Sequence, residues 1–468
     1  MQGNVKAQYE SKRTTPEELV RQFRSGNVIG LGVWYGEPYG VMKALDRLEP
    51  KPSPLYVFHN FTTCPLDVFT RRGLQCYNGF WSPYDRAAQV TLDNLHFMPV
   101  HFSTGGAFAR EALEIDYFVS RVAPMDSRGH FNCSLTASYE YELIPWLKAH
   151  KPHTKIVLEV NPNMPNVFGL DAFGGNALPI DLADFIVEDA SPLFEVHTPP
   201  ATEVEKAIAA NVAPLIEDKA TVQIGFGTIP MAIGNLLADR RDLGIHSEMF
   251  CEAHIDLIEA GAVTNAHKGL YEGVATATFA TGTKRLFDWL RENPAVAMLP
   301  VEEVNRVTVL ARINKLVSVN SALMIDMCGQ VCAHCIGPRT YSGLGGAFDF
   351  TYGAQLSPGG KSILCMPSTA TLKDGRVLSN VVAKFEPGTR ITYPEHVVDW
   401  IVTEFGAARL KHLTLEQRAK ALIEIAHPAF REALAREFRD AKVDVARAES
   451  LPQPPAVFFQ RGEVSVEV

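Results

Sequence analysis

The stretch NVIGLGVWYGEPYGVMKALDRL, residues 27–48, returns in altered form as ATVQIGFGTIPMAIGNLLADRRDL, residues 220–243. Pro38 aligns with Pro230. Each copy follows a segment with a helical pattern and then shows a β-branched run, a glycine-rich turn, a proline and a second helical pattern. Because the same strand, turn and helix occur twice, we predict two related α/β halves in one chain.

The rest of the chain alternates short β-branched runs with amphipathic segments, as in KIVLEV (155–160) after a helical pattern at 139–148. This alternation is typical of open α/β sheets, whose ligands bind where strands give way to loops. The proline-rich stretch SPLFEVHTPPAT, residues 191–202, separates the halves. We therefore predict an N-terminal domain over residues 1–195 and a C-terminal domain over residues 201–468.

Composition and charge exclude several classes of function. Of the 468 residues, 46% are hydrophobic. The chain has 44 Lys and Arg and 53 Asp and Glu, which gives a net charge of -9. We expect no nucleic-acid partner and no anionic membrane surface as partner. The most apolar stretch, residues 221–237, is too short and too polar to span a bilayer, and the first residues lack a signal pattern. We predict a cytoplasmic protein with reduced cysteines.

Four residues, Cys328, Cys332, His334 and Cys335, lie close enough in sequence to suggest a zinc site. The alternative is a hairpin with core thiols. Residues 321–337 show two short strands that turn at Gly329-Gln330, and alternation places Cys332 and His334 on one face and Cys335 on the other. We favour the hairpin and expect no metal.

The two glycine-rich turns present free backbone N–H groups at a helix start, as nucleotide sites do. Neither copy has the third glycine of the dinucleotide fingerprint, and the lysine of a P-loop is absent. NAD and ATP are therefore disfavoured. The remaining interpretations are a backbone cradle for a phosphate or a developing oxyanion, and a tight turn that serves packing alone.

A second glycine cluster, residues 341–361, ends in Lys361. Such a loop costs conformational entropy, which suggests that its backbone approaches a bulky ligand, and Lys361 offers a point charge for a phosphate. The alternative is a solvent loop with a solvated lysine. Between the clusters, the extended run LGIHSEMF (243–250) places Glu248 on one face with His246 and Phe250. Glu404 in VTEFG is an equally good carboxylate candidate from composition alone.

The second half resembles the acetyl-CoA hydrolase/transferase family, the class I CoA-transferases for 4-hydroxybutyrate and acetate. The motifs that carry this resemblance keep the family's order and spacing over residues 222–434. They are QIGFGTIP (223–230), LGIHSEMF (243–250), DLIEAGAVTN (256–265), NSALMIDMCGQV (320–331), SGLGGAFDF (342–350), VTEFGAARL (402–410) and EQRAKALIEIAHPAFREAL (416–434). The first half resembles the family more weakly, through RSGNVIGLG (24–32), APMDSRGHFNCS (123–134) and VNPNMPNVFG (160–169).

The resemblance implies two open-sheet α/β domains with the active site in the cleft between them. It places the catalytic glutamate at Glu248, with Asn305 as the polar neighbour that orients the carboxylate. It implies coenzyme A and oxyanion contacts in the turn and in the glycine loop. These contacts are Gly225, Phe226, Gly227, Thr228, Ile229, Gly343, Gly345 and Gly346. Thr228 stands where many members of the family have glycine.

The implied activity is CoA transfer from an acyl-CoA to a short carboxylic acid by ping-pong chemistry, with coenzyme A as a substrate and with no permanently bound cofactor. An acetyl-CoA hydrolase that uses the same glutamate is the alternative, and a non-catalytic CoA-binding module is a further one. We expect a homo-oligomer. Trp34 and Tyr35 are predicted to line the acyl pocket, with the Tyr35 hydroxyl as a handle for a hydroxy acid or a small dicarboxylate such as succinate or itaconate. Aromatic packing in the N-terminal core is the alternative.

Overall fold

A computed structural model describes residues 2–62, 74–89, 94–225 and 227–440. Strands and helices alternate in the first half. Its helices are α1 (Gln2–Lys12), α2 (Pro16–Val20), α3 (Tyr39–Arg47), α4 (Pro83–Gln89), α5 (Gly105–Ala112) and α6 (Glu140–His150). Its strands are β1 (Val28–Leu31), β2 (Leu55–His59), β3 (Leu74–Asn78), β4 (Leu95–Phe97), β5 (Tyr117–Val122), β6 (His130–Asn132), β7 (Lys155–Val160), β8 (Ala177–Pro179) and β9 (Phe185–Glu188).

Helices and short strands continue through the second half. The helices are α7 (Glu203–Val212), α8 (Thr228–Leu236), α9 (Glu252–Glu259), α10 (Lys284–Leu290), α11 (Val301–Asn305), α12 (Val307–Leu310), α13 (Ala347–Leu356), α14 (Leu415–Ile425) and α15 (Pro428–Asp440). The strands are β10 (Thr221–Ile224), β11 (Gly244–Ile245), β12 (Met249–Phe250), β13 (Ala275–Ala277), β14 (Phe279–Ala280), β15 (Val296–Met298), β16 (Leu316–Ser321), β17 (Met324–Asp326), β18 (Val331–Cys332), β19 (Cys335–Ile336), β20 (Arg339–Thr340), β21 (Lys361–Cys365), β22 (Thr369–Thr371), β23 (Val377–Ser379), β24 (Val381–Val382), β25 (Trp400–Thr403) and β26 (Gly406–Arg409).

Each half contains one open sheet, which confirms the predicted architecture. The first sheet is parallel, with the order β4-β3-β2-β1-β5-β7-β9. The second has the order β11-β10-β16-β21-β25-β26 and is parallel except for its last pair. In both sheets the strand order reverses at the repeated strand, β1 or β10. Such reversals are the points where open α/β sheets bind ligands beyond the carboxyl ends of their strands.

Local capping sets the first helix after the proline-rich stretch. The Thr202 hydroxyl accepts a hydrogen bond from the Glu205 N–H, and the Glu205 carboxylate accepts one from the Thr202 N–H, so α7 begins with a capping box. The stretch before it, residues 191–202, contains no helix or strand. The first sheet ends at Glu188 and the second begins at Thr221, while the boundary between 195 and 201 stays a prediction.

The two halves share one large apolar core. A continuous cluster of buried side chains includes Phe118 and Leu158 from the first half and Val222 and Phe250 from the second. Burial of this apolar surface fixes the position of one sheet relative to the other. It therefore defines the space between the carboxyl ends of their strands. Within the described part of the chain, every helix is too short or too polar to cross a bilayer.

Candidate active site

A cavity of about 340 Å³ lies between the two halves, at the carboxyl ends of β1 and β10. Both repeated turns contribute to its walls, and so does the glycine loop that precedes α13. The residues that matter most below are Val33, Trp34, Phe61, Phe80 and Phe102 from the first half and Gly225, Ile229, Glu248, Phe279, Gly345 and Gly346 from the second. The cleft implied by the resemblance is therefore present.

Glu248 reaches the cavity because the chain leaves one sheet and joins another. The expectation of one continuous extended run over 243–250 is wrong: β11 pairs with β10, whereas β12 pairs with β14. The break lies at residues 246–248. As a result Glu248 and Met249 both line the cavity, while the His246 ring is buried, with Nε2 2.8 Å from the Val304 carbonyl oxygen.

The Glu248 carboxylate lies between two groups that fix its position. Asn305, at the end of α11, donates from Nδ2 to Glu248 Oε2 at 2.5 Å. The backbone N–H of Gly346 also bonds to the carboxylate. A Cβ on Gly346 would lie 1.9 Å from Asn305 Nδ2 and 2.0 Å from Glu248 Oε2, so only glycine leaves room there. The structure thus brings Glu248, Asn305, Gly345 and Gly346 together.

Contacts across the cleft position both partners of this carboxylate. Arg110 of α5 forms a 2.8 Å ion pair with Glu302 of α11, the helix that ends in Asn305. The Phe102 N–H donates to the carbonyl oxygen of Gly345 at 3.0 Å. The first half therefore helps to set the geometry around a carboxylate that belongs to the second.

Burial raises the pKa of Glu248 to about 7. The Asn305 amide and the Gly346 N–H oppose this increase, and the negative charge of Asp349 adds to it. Burial likewise raises the pKa of Asp349, in the first turn of α13, to about 7, although the Ser103 hydroxyl and N–H bond to it. Asp349 lies within the quoted SGLGGAFDF motif, but sequence reasoning gave it no role. The two acids interact, so values near 7 belong to the pair.

This pair predicts the pH dependence of any reaction in which Glu248 is the nucleophile. Because the raised pKa keeps the carboxyl protonated below about pH 7, single-turnover cleavage of an acyl-CoA should slow by about tenfold per pH unit at lower pH. A stopped-flow pH profile measures this. Asp349→Asn removes the neighbouring negative charge and should move the midpoint to lower pH. A wild-type midpoint near the ordinary value of 4.5 would contradict the assignment.

The turn after β10 contributes backbone more than side chains. Gly225 and Ile229 line the cavity, and a Cβ at Gly225 would have the Val319 carbonyl oxygen as its nearest neighbour, at 3.8 Å. Gly227 has φ +130° directly before α8, and the Thr228 hydroxyl bonds to the Glu205 carboxylate, away from the cavity lining. Phe226 lies outside the described residues. This turn leaves space beside its backbone, as a ligand cradle requires.

The second glycine cluster is not one loop, because α13 divides it. Gly345 and Gly346 lie beside Glu248, before the helix. Gly343 approaches the first half instead: a Cβ there would lie 2.2 Å from the Gly79 carbonyl oxygen. The glycines at the other end of α13 precede β21, at the amino edge of the sheet.

Lys361 therefore does not lie beside the glycines that line the cavity. It opens β21, and its Nζ donates to the Leu215 carbonyl oxygen at 2.9 Å and pairs with Glu217. Because α13 runs back along the sheet, the two ends of the cluster lie at opposite edges. Lys361 is absent from the cavity lining, and the predicted role as a point charge for a phosphate is wrong.

Trp34 and Tyr35 pack edge to face, with ring centroids 5.9 Å apart, but only one of them lines the cavity. Trp34 lines the cavity. The Tyr35 ring is fully buried and stacks on Phe194 at 4.4 Å, and its hydroxyl donates to the Phe194 carbonyl oxygen at 3.0 Å. The expectation of a Tyr35 handle for a polar acid is wrong, because this hydroxyl already has a partner inside the core. The alternative of core packing applies to Tyr35 fully and to Trp34 in part, because Trp34 is only 8% exposed and packs on Phe194 while it also lines the cavity.

Several lining residues have no signal in the sequence. The rings of Phe61, Phe80 and Phe102 come from separate segments of the first half, and only the fold brings them together. Gln223 and Asn320, at the carboxyl ends of β10 and β16, bond to each other through their amides at 3.1 and 3.2 Å. Gln223 lies in the quoted QIGFGTIP motif, yet the pairing with Asn320 depends on the register of two strands.

The cysteine cluster forms the predicted hairpin, since β17 and β18 pair antiparallel. The prediction that Cys332 and Cys335 lie on opposite faces is wrong. Their Sγ atoms are 3.3 Å apart, because a new strand begins at Cys335. The His334 ring bonds to the Thr392 hydroxyl. Among the described residues, no three His, Cys, Asp or Glu side chains are arranged to hold a metal ion.

Glu404, the second carboxylate candidate, lies outside the cavity lining. Its two oxygens accept hydrogen bonds from the N–H and the hydroxyl of Ser368, at 2.8 and 2.5 Å. The carboxylate thus connects two loops of the second half. Among the described residues that line the cavity, Glu248 is the only carboxylate.

Comparison with known proteins agrees with this geometry. Residues 282–438 match the family described as acetyl-CoA hydrolase/transferase C-terminal domain. The chain is 36% identical to 4-hydroxybutyrate coenzyme A transferase from Clostridium kluyveri, over 92% of this chain and 98% of the relative. It is 34% identical to succinyl-CoA:cyclohexane-1-carboxylate CoA transferase from Geobacter metallireducens, over 92% and 96%. The crystal structure of RipA from Yersinia pestis superimposes with a TM-score of 0.84 at 31% identity, over 94% and 99%.

Proposed function

Because the chain belongs to the acetyl-CoA hydrolase/transferase family and is a CoA-transferase, we propose that it works through a covalent CoA thioester on Glu248. One observation carries this proposal. A carboxylate with a raised pKa faces a mostly apolar cavity between the two halves, held by an amide and a glycine N–H. A desolvated carboxylate in a fixed position is the nucleophile that anhydride chemistry needs.

In the first step, a Glu248 oxygen attacks the thioester carbon of the acyl-CoA, and the carbon–sulfur bond breaks. The products are an acyl-glutamyl anhydride and the CoA thiolate. The thiolate then attacks the Glu248 carboxyl carbon, and the anhydride carbon–oxygen bond on that side breaks. The first acid leaves as a carboxylate that carries one oxygen from Glu248, and CoA remains on the enzyme as a thioester.

A second acid repeats the two steps in reverse order and leaves as its CoA ester. The free energy of the thioester is conserved throughout, so the exchange needs no ATP. Each carbonyl addition creates an oxyanion. Backbone N–H groups at Gly225, at residues 227–229 and at Gly346 are suited to stabilise it, at about 3 kcal/mol per well-placed donor.

The coenzyme A arm fits the second-half side of the cavity. The paired amides of Gln223 and Asn320 line that side together with Gly225. Pantetheine carries two amide groups, and these side-chain amides have the complementary donors and acceptors. The substrate acid then occupies the first-half side, which Trp34 and Phe61 line.

Trapping the intermediate tests the proposal. The enzyme is incubated with acetyl-CoA without an acceptor acid, and hydroxylamine is then added. We expect a hydroxamate on Glu248, because hydroxylamine cleaves an activated carboxyl but not a free one. Peptide mass spectrometry locates it, and Glu404 is the internal control. Labelling at neither residue while transfer proceeds would overturn the mechanism. Consumption of acetyl-CoA at the same rate with and without an acceptor acid would indicate the hydrolase alternative.

A further inference from the structure

The cavity has an aromatic wall, defined here as Trp34, Phe61, Phe80 and Phe102 from the first half and Phe279 from the second. The rings form a connected series. Ring centroids are 4.1 Å apart for Trp34 and Phe61, 5.1 Å for Phe61 and Phe80, 6.5 Å for Trp34 and Phe279, and 5.9 Å for Phe102 and Phe279. The pairs are tilted or edge-on, so the wall offers both ring faces and ring edges to the space it encloses.

This wall reaches the reacting carboxylate. A Cβ added at Gly345 would lie 3.2 Å from the Phe80 ring and 3.7 Å from Glu248 Oε1. The ring and the carboxylate therefore lie on either side of the same glycine. On the other side, Phe279 donates its N–H to the Glu248 carbonyl oxygen at 3.3 Å. An acid joined to Glu248 as an anhydride therefore has its substituent against the aromatic wall.

The described lining offers no cationic side chain to a second charge on the acid, although Trp34 Nε1 and His101 Nδ1 line the cavity without a hydrogen-bond partner among the described residues. It contains neither lysine nor arginine, and burial lowers the pKa of His101, which keeps that ring neutral. Asn60 forms one hydrogen bond through each polar atom and carries no charge: its Oδ1 accepts from the Gly79 N–H at 2.9 Å, and its Nδ2 donates to the Tyr139 hydroxyl at 3.2 Å. A second carboxylate would lose its hydration and gain hydrogen bonds from neutral groups only, with no opposite charge to pair with.

Trp34 is held in a costly backbone conformation. Its φ is +57°, in the left-handed region that bulky residues avoid. The buried Glu140 carboxylate accepts the Val33 N–H, and the Glu37 N–H donates to the Trp34 carbonyl oxygen at 3.0 Å. Strain of this kind persists where the surrounding structure enforces it, commonly at functional sites. Here it aims an indole at the substrate space.

We propose that the substrate acid carries an uncharged six-membered ring, aromatic or alicyclic, next to its carboxylate. The inference rests on the proposed function, since Glu248 places the acid. A cavity of ~150 Å³ is enough to bind benzene, so about 340 Å³ holds such a ring together with the reacting thioester. Contacts between aromatic rings favour an aromatic acid over a linear chain of similar size by roughly two- to tenfold for each good pair, whereas an alicyclic ring gains from apolar packing alone. The hydroxy acids and dicarboxylates expected from the sequence are the competing class, and the experiment below compares the two.

A panel of acids tests the inference on the unmodified enzyme. With acetyl-CoA as donor, kcat/KM is measured for benzoate, cyclohexanecarboxylate, hexanoate and succinate. We expect at least one ring acid to exceed hexanoate by roughly tenfold and succinate by more. A preference for succinate, or equal values for ring acids and hexanoate, would overturn the inference.

A pair of variants ties the preference to the wall. Phe61→Leu keeps an apolar side chain but removes a ring from the cavity, and should reduce the ratio of ring acid to hexanoate several-fold. Phe173→Leu, at a partly buried ring that contacts Tyr271 outside the cavity, is the matched control and should leave the ratio unchanged. An unchanged ratio in Phe61→Leu would contradict the wall as its source.

The two proposals fail in different ways. If acetyl-CoA exchanges with short acids but not with ring acids, the ring inference is wrong and the glutamyl thioester stands. If Glu248→Gln still transfers CoA, the mechanism is wrong whatever the order of the acids.

Discussion

Glu248→Gln should lower the rate of CoA transfer by at least about 10³-fold, in the range found when an enzyme loses its nucleophile. The glutamine amide has nearly the shape of the carboxylate, and its oxygen still accepts hydrogen bonds from Asn305 and Gly346. It cannot form the anhydride, because an amide is a poor nucleophile. CoA binding should persist, since the turn at 225–229 is unchanged. Steady-state transfer and calorimetric binding of CoA measure the two effects separately.

The same variant should be more stable than the parent at pH 8. Burial raises the folded-state pKa of Glu248 from 4.5 to about 7. The stabilisation that comes from keeping this carboxyl protonated is complete below about pH 4.5 and is lost as the pH rises through 7. At pH 8 the buried charge destabilises the parent, by about 2 kcal/mol after allowance for water in the cavity. Thermal unfolding at pH 5 and pH 8 should show the gain chiefly at pH 8.

Glu404→Gln is the matched control for Glu248→Gln. Glu404 also accepts two hydrogen bonds, but it lies outside the cavity. Its glutamine variant should retain transfer activity. Loss of transfer activity in both variants, or its retention in both, would show that transfer does not depend on the position of Glu248 in the cavity.

Much of the architecture is predictable because it depends on local patterns. The repeated strand, turn and helix at 27–48 and 220–243 predicts two related sheets, and the structure places both turns at the points where strand order reverses. The hairpin at residues 324–332 follows from its turn residues. A cytoplasmic location and a homo-oligomer stay predictions.

The site is less predictable, because long-range packing decides it. Lys361 looks close to the glycine loop in sequence, but the ten residues of α13 carry it to the opposite edge of the sheet. Tyr35 is next to Trp34 and their rings are in contact, yet only Trp34 lines the cavity, because the Tyr35 ring stacks on Phe194 inside the core. The aromatic wall combines rings from sequence positions 34 to 279, and no local pattern reports such a combination.

Gly346→Ala should lower kcat by about 10²-fold or more with little loss of thermal stability. The backbone tolerates alanine, because Gly346 has φ −97°, outside the left-handed region. The obstacle is space: the new methyl group would lie 1.9 Å from Asn305 Nδ2 and 2.0 Å from Glu248 Oε2. The carboxylate must move away from its amide, and a displacement of about 1 Å is enough for a loss of this size.

Gly225→Ala separates this effect from simple narrowing of the cavity. It also adds a methyl group to the cavity wall, but the nearest protein atom is 3.8 Å away, so Glu248 keeps its position. We expect Gly225→Ala to raise KM for the CoA ester and to change kcat far less than Gly346→Ala. Equal kcat in both variants, or a fall in Tm that parallels the fall in activity for Gly346→Ala, would mean that Gly346 serves packing and not the position of the carboxylate. A large fall in kcat in Gly346→Ala alone would instead show that the absence of a side chain at Gly346 keeps the Glu248 carboxylate in its reactive position.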